Sequence, residues 1–157
     1  MRLPVFMRGI ALLIFTALIT ASCTGFPRGW SAAKTATATD AISGAWIGRW
    51  HSETNGHSGG LRCVAARRDA DAWHFRYRAS WAKILCAGFS MDAAVKPDKR
   101  GGYAVSGSKD LGKMFGGLFT SSGTIKDGSF HARYESKFDR GTMEMRRMNT
   151  AGVETTR

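Results

Sequence analysis

From Trp73 to Trp81 every second side chain is apolar: Trp73, Phe75, Tyr77, Ala79 and Trp81 fall on one face, and His74, Arg76, Arg78 and Ser80 on the other. A period of two belongs to a strand with one dry and one wet face. Large apolar side chains gain roughly 1.5–3 kcal/mol each on burial, and an unpaired buried charge costs far more, so the aromatic face must point inward. One strand cannot enclose that face. The rest of the chain has to supply the other walls.

The same period recurs along the chain. Gly44 to Ser52 sets Trp46, Gly48 and Trp50 on one side, and Leu61, Cys63 and Ala65 alternate with Arg62, Val64 and Ala66. Phe89, Met91, Ala93 and Val95 share a phase, as do Tyr103, Val105 and Gly107. Leu118 to Ile125 is Ser/Thr-rich but compatible with a strand; Phe130, Ala132, Tyr134, Ser136 and Phe138 alternate cleanly, and Met143, Met145 and Arg147 share the last face. Asp69-Ala70-Asp71, Pro97 to Gly102, Lys126-Asp127-Gly128 and Asp139-Arg140-Gly141 are turn signals between them. Lys83 to Gly88 lacks alternation and reads as an irregular connection, and no stretch carries a convincing helical period. The expectation is an all-β domain, an antiparallel meander of about eight strands closed into an up-and-down barrel, since closure removes both exposed edges. A β-sandwich is the alternative.

The N-terminus reads differently. Arg2 and Arg8 precede the apolar run Gly9 to Ile19, which has the length of a signal-peptide core and is too short to span a bilayer. Thr20-Ala21-Ser22-Cys23 follows and resembles the bacterial lipobox, with Thr20 where that motif has Leu. The resemblance implies cleavage after Ser22 and acylation of Cys23, so that lipid chains hold the protein on a membrane without a spanning helix. Thr24 after the cysteine implies the outer membrane, facing the periplasm; ordinary secretion is the alternative. The expected organisation is a signal peptide over 1–22, a flexible Ala/Thr/Ser-rich tether over 23–43, the barrel over 44–148 and a polar tail over 149–157. Phe26 and Trp30 stand out in the tether and could rest on a bilayer or on the domain.

The 135 residues left after the first 22 of 157 suffice for one core. The leader holds two of the 23 basic residues and none of the 12 acids, which leaves a net charge of +9. Such a surface favours anionic partners, lipid headgroups and acidic glycans ahead of nucleic acid. Arg49, Arg62, Arg76, Arg78, Arg133 and Lys137 would form its outer wall, though basic residues spread over every strand are also what a solvated face looks like. Cys63 and Cys86 fall on strands separated by a third, about 9.6 Å apart and beyond disulfide reach, so two small buried thiols are expected.

Gly44-Ala45-Trp46, or Gly48-Arg49-Trp50, together with Arg147 in the inward phase of the final strand, resembles the calycin pattern of lipocalins, fatty-acid-binding proteins and avidins. The resemblance implies that a first-strand tryptophan is covered at the closed end of the barrel by the late arginine. The chain departs from lipocalins in lacking their Thr-Asp-Tyr motif and C-terminal helix, and from fatty-acid-binding proteins in lacking a helical lid. The inward phase collects Trp46, Trp50, Trp73, Phe75, Tyr77, Phe89, Tyr103, Phe130, Tyr134, Met143 and Met145. Eight strands leave room either for these side chains or for one small ligand. The residues expected to touch a small apolar ligand are Trp46, Trp50, Tyr77, Tyr134, Met145 and Arg147, near the open-end loop Glu53 to Gly60.

Catalytic motifs are present only in outline. Gly56-His57-Ser58-Gly59-Gly60 spells the nucleophile elbow of esterases, but Leu61 to Arg67 continues as a strand where that chemistry needs a helix. Gly107 to Lys113 copies a phosphate-binding loop until Met114 stands where Ser or Thr should hold the metal. His74 and His131 face outward and His57 lies in a loop, so no three ligands converge as zinc requires. No catalytic residue, metal or cofactor is therefore expected, and the domain reads as a non-enzymatic binding or structural module.

Overall fold

The computed structural model describes residues 25–37, 39–81 and 85–148. The expected leader, Cys23 with its expected acylation, and the expected tail 149–157 lie outside the described residues. Within them run β1 Gly44–Ser52, β2 Ser58–Arg67, β3 Ala72–Trp81, β4 Leu85–Pro97, β5 Tyr103–Asp110, β6 Leu118–Lys126, β7 Ser129–Glu135 and β8 Arg140–Arg147. Each strand pairs antiparallel with the next, and β8 pairs back onto β1, so the meander closes into a barrel. The sandwich alternative falls away.

Register carries the period of two around the wall. Trp46 lies opposite Cys63 and Arg147, Cys63 opposite Tyr77, and Tyr77 opposite Phe89. Trp46, Phe75, Tyr77 and Phe130 are fully buried inside, while Arg62, Arg133, Glu135 and His131 face solvent. Apolar inside and charged outside is the reverse of a membrane barrel. No helix among the described residues is long and apolar enough to cross a membrane.

A barrel this narrow needs strands that bend, and glycine in the inward phase supplies the bends. A Cβ on Gly48 would sit 1.8 Å from the Glu144 carbonyl oxygen of β8. One on Gly123 would meet the His131 oxygen at 2.2 Å, and one on Gly141 the His51 oxygen at 1.9 Å. The backbones approach where no side chain fits.

One seam stays half open. The β4–β5 ladder runs only from Ala93 opposite Gly107 to Pro97 opposite Tyr103, so Leu85 to Asp92 is bonded to β3 alone. This explains two departures from the sequence expectation. Leu85 to Gly88 belongs to a strand rather than to an irregular connection, yet without a second neighbour it has no core face to impose alternation. Cys86 is correspondingly exposed, with Arg78 Nη2 donating to its sulfur at 3.6 Å, whereas Cys63 is buried as expected. Burial pushes the Cys63 thiol well above its usual value.

The described part of the expected tether is also more ordered than its composition suggests: α1, Gly25–Thr35, is an α-helix. Gly25, Pro27, Gly29 and Thr35 give it poor intrinsic propensity, so tertiary packing has to hold it. Phe26 and Trp30, four residues apart and stacked at 5.9 Å, lie against Ala45, with Ile47, Val64 and Met148 around them. Arg76 and Arg62 extend over the two rings, at 6.0 and 5.5 Å from their centroids. The first half of β1 is thus covered on both faces, inside by the core and outside by the helix at Ala45 and Ile47, while Arg49 and His51 farther along its outer face are exposed.

Candidate ligand site at the open end of the barrel

The two ends of the barrel differ. At one end Trp46 donates its indole N–H to the Ile42 carbonyl at 2.8 Å and meets Phe130 edge-on at 6.1 Å. Asp40 holds the turn beneath it, accepting from the Ile42 and Ser43 amides and the Ser43 hydroxyl. Arg147 donates to the Ser43 carbonyl. The end is therefore closed by Ile42 and the 40–43 turn, and the Arg147 guanidinium clamps that turn rather than lying over an indole as the calycin resemblance implied. Above Trp46 the Phe75 ring stacks on Tyr77 at 6.0 Å and meets Phe130 at a tilt, also at 6.0 Å. Trp46, Tyr77 and Met145 are all buried in this half. The Tyr77 hydroxyl is buried without a hydrogen-bond partner, and burial, together with the nearby Cys63 sulfur, pushes its phenol well above the usual value.

The other end is not filled. A cavity of about 330 Å³ opens there, bordered by Trp50, Asn55, His57, Leu61, Ala79, Trp81, Phe89, Phe119, Tyr134, Asp139 and Met143. Its walls are mainly aromatic. Trp50 and Trp81 meet edge to face at 6.4 Å, Phe89 and Phe119 at 5.0 Å, and Phe119 stacks on Tyr134 at 5.7 Å. The contact of Phe89 on β4 with Phe119 on β6 bridges the half-open seam.

The polar groups of the site are arranged around Asp139. Ser52, fully buried, donates to one carboxylate oxygen at 2.6 Å, and the Tyr134 hydroxyl donates to the other at 3.0 Å. Ser52 Oγ in turn accepts the Thr54 and Asn55 amides, which fixes the loop over the mouth. Trp50 gives its N–H to the Ser80 carbonyl at 3.3 Å. With these three donors engaged, Asp139 keeps carboxylate lone pairs for a guest, and the Asn55 amide and His57 imidazole stand at the same border. The site suits an apolar body that offers a donor.

Burial first, then the hydrogen bond to Asp139 and the negative charges of Asp139 and Glu53, push the Tyr134 phenol well above its usual value. A group raised in this way contributes stability that is present below its unfolded value near 10 and is lost as pH rises through the folded one. At about pH 10.5 the phenolate absorbance of the native protein should therefore be clearly below that of the unfolded chain at the same pH, in which all three tyrosines are free. Equal native and unfolded absorbance at that pH would mean that Tyr77 and Tyr134 are not enclosed as described.

The site brings together two of the six residues expected from sequence, Trp50 and Tyr134. Trp46, Tyr77 and Met145 share their phase but lie deeper, in the packed half, and Arg147 is at the opposite end. Trp81, Phe119 and Asp139 were not foreseen as site residues. Asn55 and His57 come from the expected open-end loop, although Ser58 to Gly60 already belong to β2.

Ser58 opens a strand, so the esterase string lacks its helix. Gly107 to Asp110 completes β5 and leads into the 3-10 helix Lys113–Phe115, too short for a phosphate-binding terminus. Of the basic wall, Arg62 and Arg76 contact the Trp30 and Phe26 rings of α1, Arg78 reaches Cys86, and Arg133 donates from Nη2 to both carboxylate oxygens of Glu53, at 2.7 and 2.8 Å. Lys137 lies over the Phe138 ring, and Arg49 is exposed. No family model, curated protein or solved structure matches this chain.

Proposed function

We propose that this protein is a non-enzymatic ligand carrier of the cell envelope. A lipid on Cys23 tethers it, and a calycin-like barrel takes one small apolar molecule into its open end. One observation carries the reading: one end of the barrel is closed over buried side chains, and the other opens into a cavity walled by five aromatic rings. About 330 Å³ is at the small end of the range for ligand pockets and fits a compact guest rather than a long acyl chain. Asp139 orients the guest by accepting a hydrogen bond, as the few polar groups of such pockets do.

Binding should quench the fluorescence of Trp50 or Trp81 and change little between low and high salt, because the contacts are apolar. Trp50→Ala should weaken it by about tenfold or more, the size of a lost aromatic wall. Binding that collapses in salt and ignores Trp50→Ala would favour the basic outer wall and its anionic polymers or headgroups instead. The tether has its own test. Cys23→Ser should abolish incorporation of labelled fatty acid and release the protein from the membrane fraction; unchanged incorporation would refute the anchor.

A further inference from the structure

Met114, Leu118 and Phe138 are the large hydrophobic side chains most out of place among the described residues, at 84%, 61% and 56% exposure. They do not lie scattered. Met114 and Leu118 flank the loop after β5, Phe138 sits in the β7–β8 turn, and the two segments touch. The Lys137 amide donates to the Gly116 carbonyl at 3.2 Å, and a Cβ on Gly116 would stand 3.4 Å from the Phe138 ring. Both segments belong to the open end, where Phe119 and Asp139, the sequence neighbours of Leu118 and Phe138, line the cavity.

Charge is distributed to match. Lys113 is exposed beside Met114, Lys137 holds its ammonium 5.8 Å from the Phe138 ring, and Arg140 is exposed just beyond. Of the nearby acids, Asp139 is turned to Ser52 and Tyr134 and Asp110 accepts the Gly112 amide at 2.8 Å, while Glu135 is exposed on β7 opposite Arg140, which leaves Lys113 and Lys137 as the cations beside the apolar tips. Apolar tips surrounded by flexible cations are the composition of a surface that enters the headgroup layer of an anionic bilayer, with the tips among the upper acyl carbons and the cations at the phosphates.

We infer that the open rim docks on an anionic lipid surface through Met114, Leu118 and Phe138, with Lys113 and Lys137 at the headgroups, so that the cavity faces the bilayer. Such docking would let an apolar guest pass between membrane and cavity without crossing water. The inference does not depend on the cavity being a binding site, since the rim could dock over an empty mouth.

The test uses the full chain with Cys23→Ser, so that no acyl anchor holds it on the vesicle, comparing Phe138→Trp with the wild-type residue at 138 on vesicles whose acyl chains are brominated. Bromine quenches an indole only on close approach. On vesicles of phosphatidylglycerol and phosphatidylcholine, the Phe138→Trp chain should show at least about twofold more bromine quenching than the chain that keeps Phe138. The excess should shrink on phosphatidylcholine alone and in high salt, as screening requires. Lys113→Glu with Lys137→Glu should reduce the docked fraction by about tenfold or more, given roughly fivefold per lysine near an anionic surface. Equal quenching in the two chains would overturn the inference. So would excess quenching that persists without anionic lipid, or a rim buried by concentration-dependent self-association in the absence of vesicles. Because the readout is at residue 138 and needs no ligand, its failure would leave the cavity reading untouched.

Discussion

Gly48→Val is expected to leave no stable barrel. The new Cβ would stand 1.8 Å from the Glu144 carbonyl oxygen and 2.6 Å from the Met145 Cα, both backbone atoms, so no side-chain rotation can relieve the contact. Relief requires β1 and β8 to separate at the pairing that closes the barrel, Gly48 opposite Met145. Overpacking in a core that can adjust typically costs 1–3 kcal/mol, and a clash against two backbone atoms exceeds that, so a loss of about 5 kcal/mol or more is expected. Small domains have only about 5–15 kcal/mol to lose. Thermal unfolding followed by circular dichroism should show a midpoint lower by roughly 20 °C or more, or no transition. Gly88→Ala is the control: its Cβ would come within 3.3 Å of the Tyr77 carbonyl at an exposed position, a few tenths of an ångström of adjustment costing about 1 kcal/mol or less.

Trp46→Ala should be almost as damaging. The indole is wholly buried, its N–H holds the Ile42 carbonyl, and its ring braces Phe130. Truncating a buried Trp typically costs about 3–5 kcal/mol through lost transfer energy and the cavity left behind. The orphaned Ile42 carbonyl adds about 1 kcal/mol or more, and with it goes the turn that closes this end. A midpoint lower by roughly 20 °C is expected. Trp46→Phe, which keeps most of the ring but not the donor, should cost about 1–3 kcal/mol. Trp50→Ala, whose side chain borders a cavity rather than filling a core, should cost distinctly less than Trp46→Ala. Equal losses at the two positions would mean that the two ends of the barrel do not differ in packing.

The contrast between Trp46 and Trp50 also shows where sequence reading stops. Alternation decides which face of a strand is dry, and it gives the inward residues of β1, β3 and β8 and, in β7, Phe130, Ala132 and Tyr134; Phe138, in the same phase, lies beyond the end of β7 in the turn and is exposed instead. It is silent about depth along the barrel axis. Trp46, Tyr77 and Met145 share their phase with Trp50 and Tyr134, and only the stagger of the closed sheet separates a packed floor from an open mouth. Asp139 was legible only as a turn residue, because its pairing with Ser52 spans 87 positions.

The helix α1 escaped notice for another reason. Its own propensity is poor, and what holds it is the outer face of β1 and β2. A signal was there: Ala45, Ile47 and Val64 are apolar in the outward phase, where a solvated wall would be polar, and Phe26 and Trp30 stand four apart to cover them. The missing alternation in Leu85 to Gly88 has the converse cause, a strand segment with no core beneath it to enforce a pattern.

The most direct test of the account is fluorine NMR on protein carrying 5-fluorotryptophan, whose five indoles report separately on α1, the packed end, the open end and β3. On titration with a small apolar ligand such as an alkylated phenol, the account predicts that the signals of Trp50 and Trp81 shift together and saturate. Those of Trp46 and Trp73, set in the packed half, should stay in place. Shifts centred on Trp46, or no saturable shift at Trp50 and Trp81 with any compact apolar donor, would contradict it.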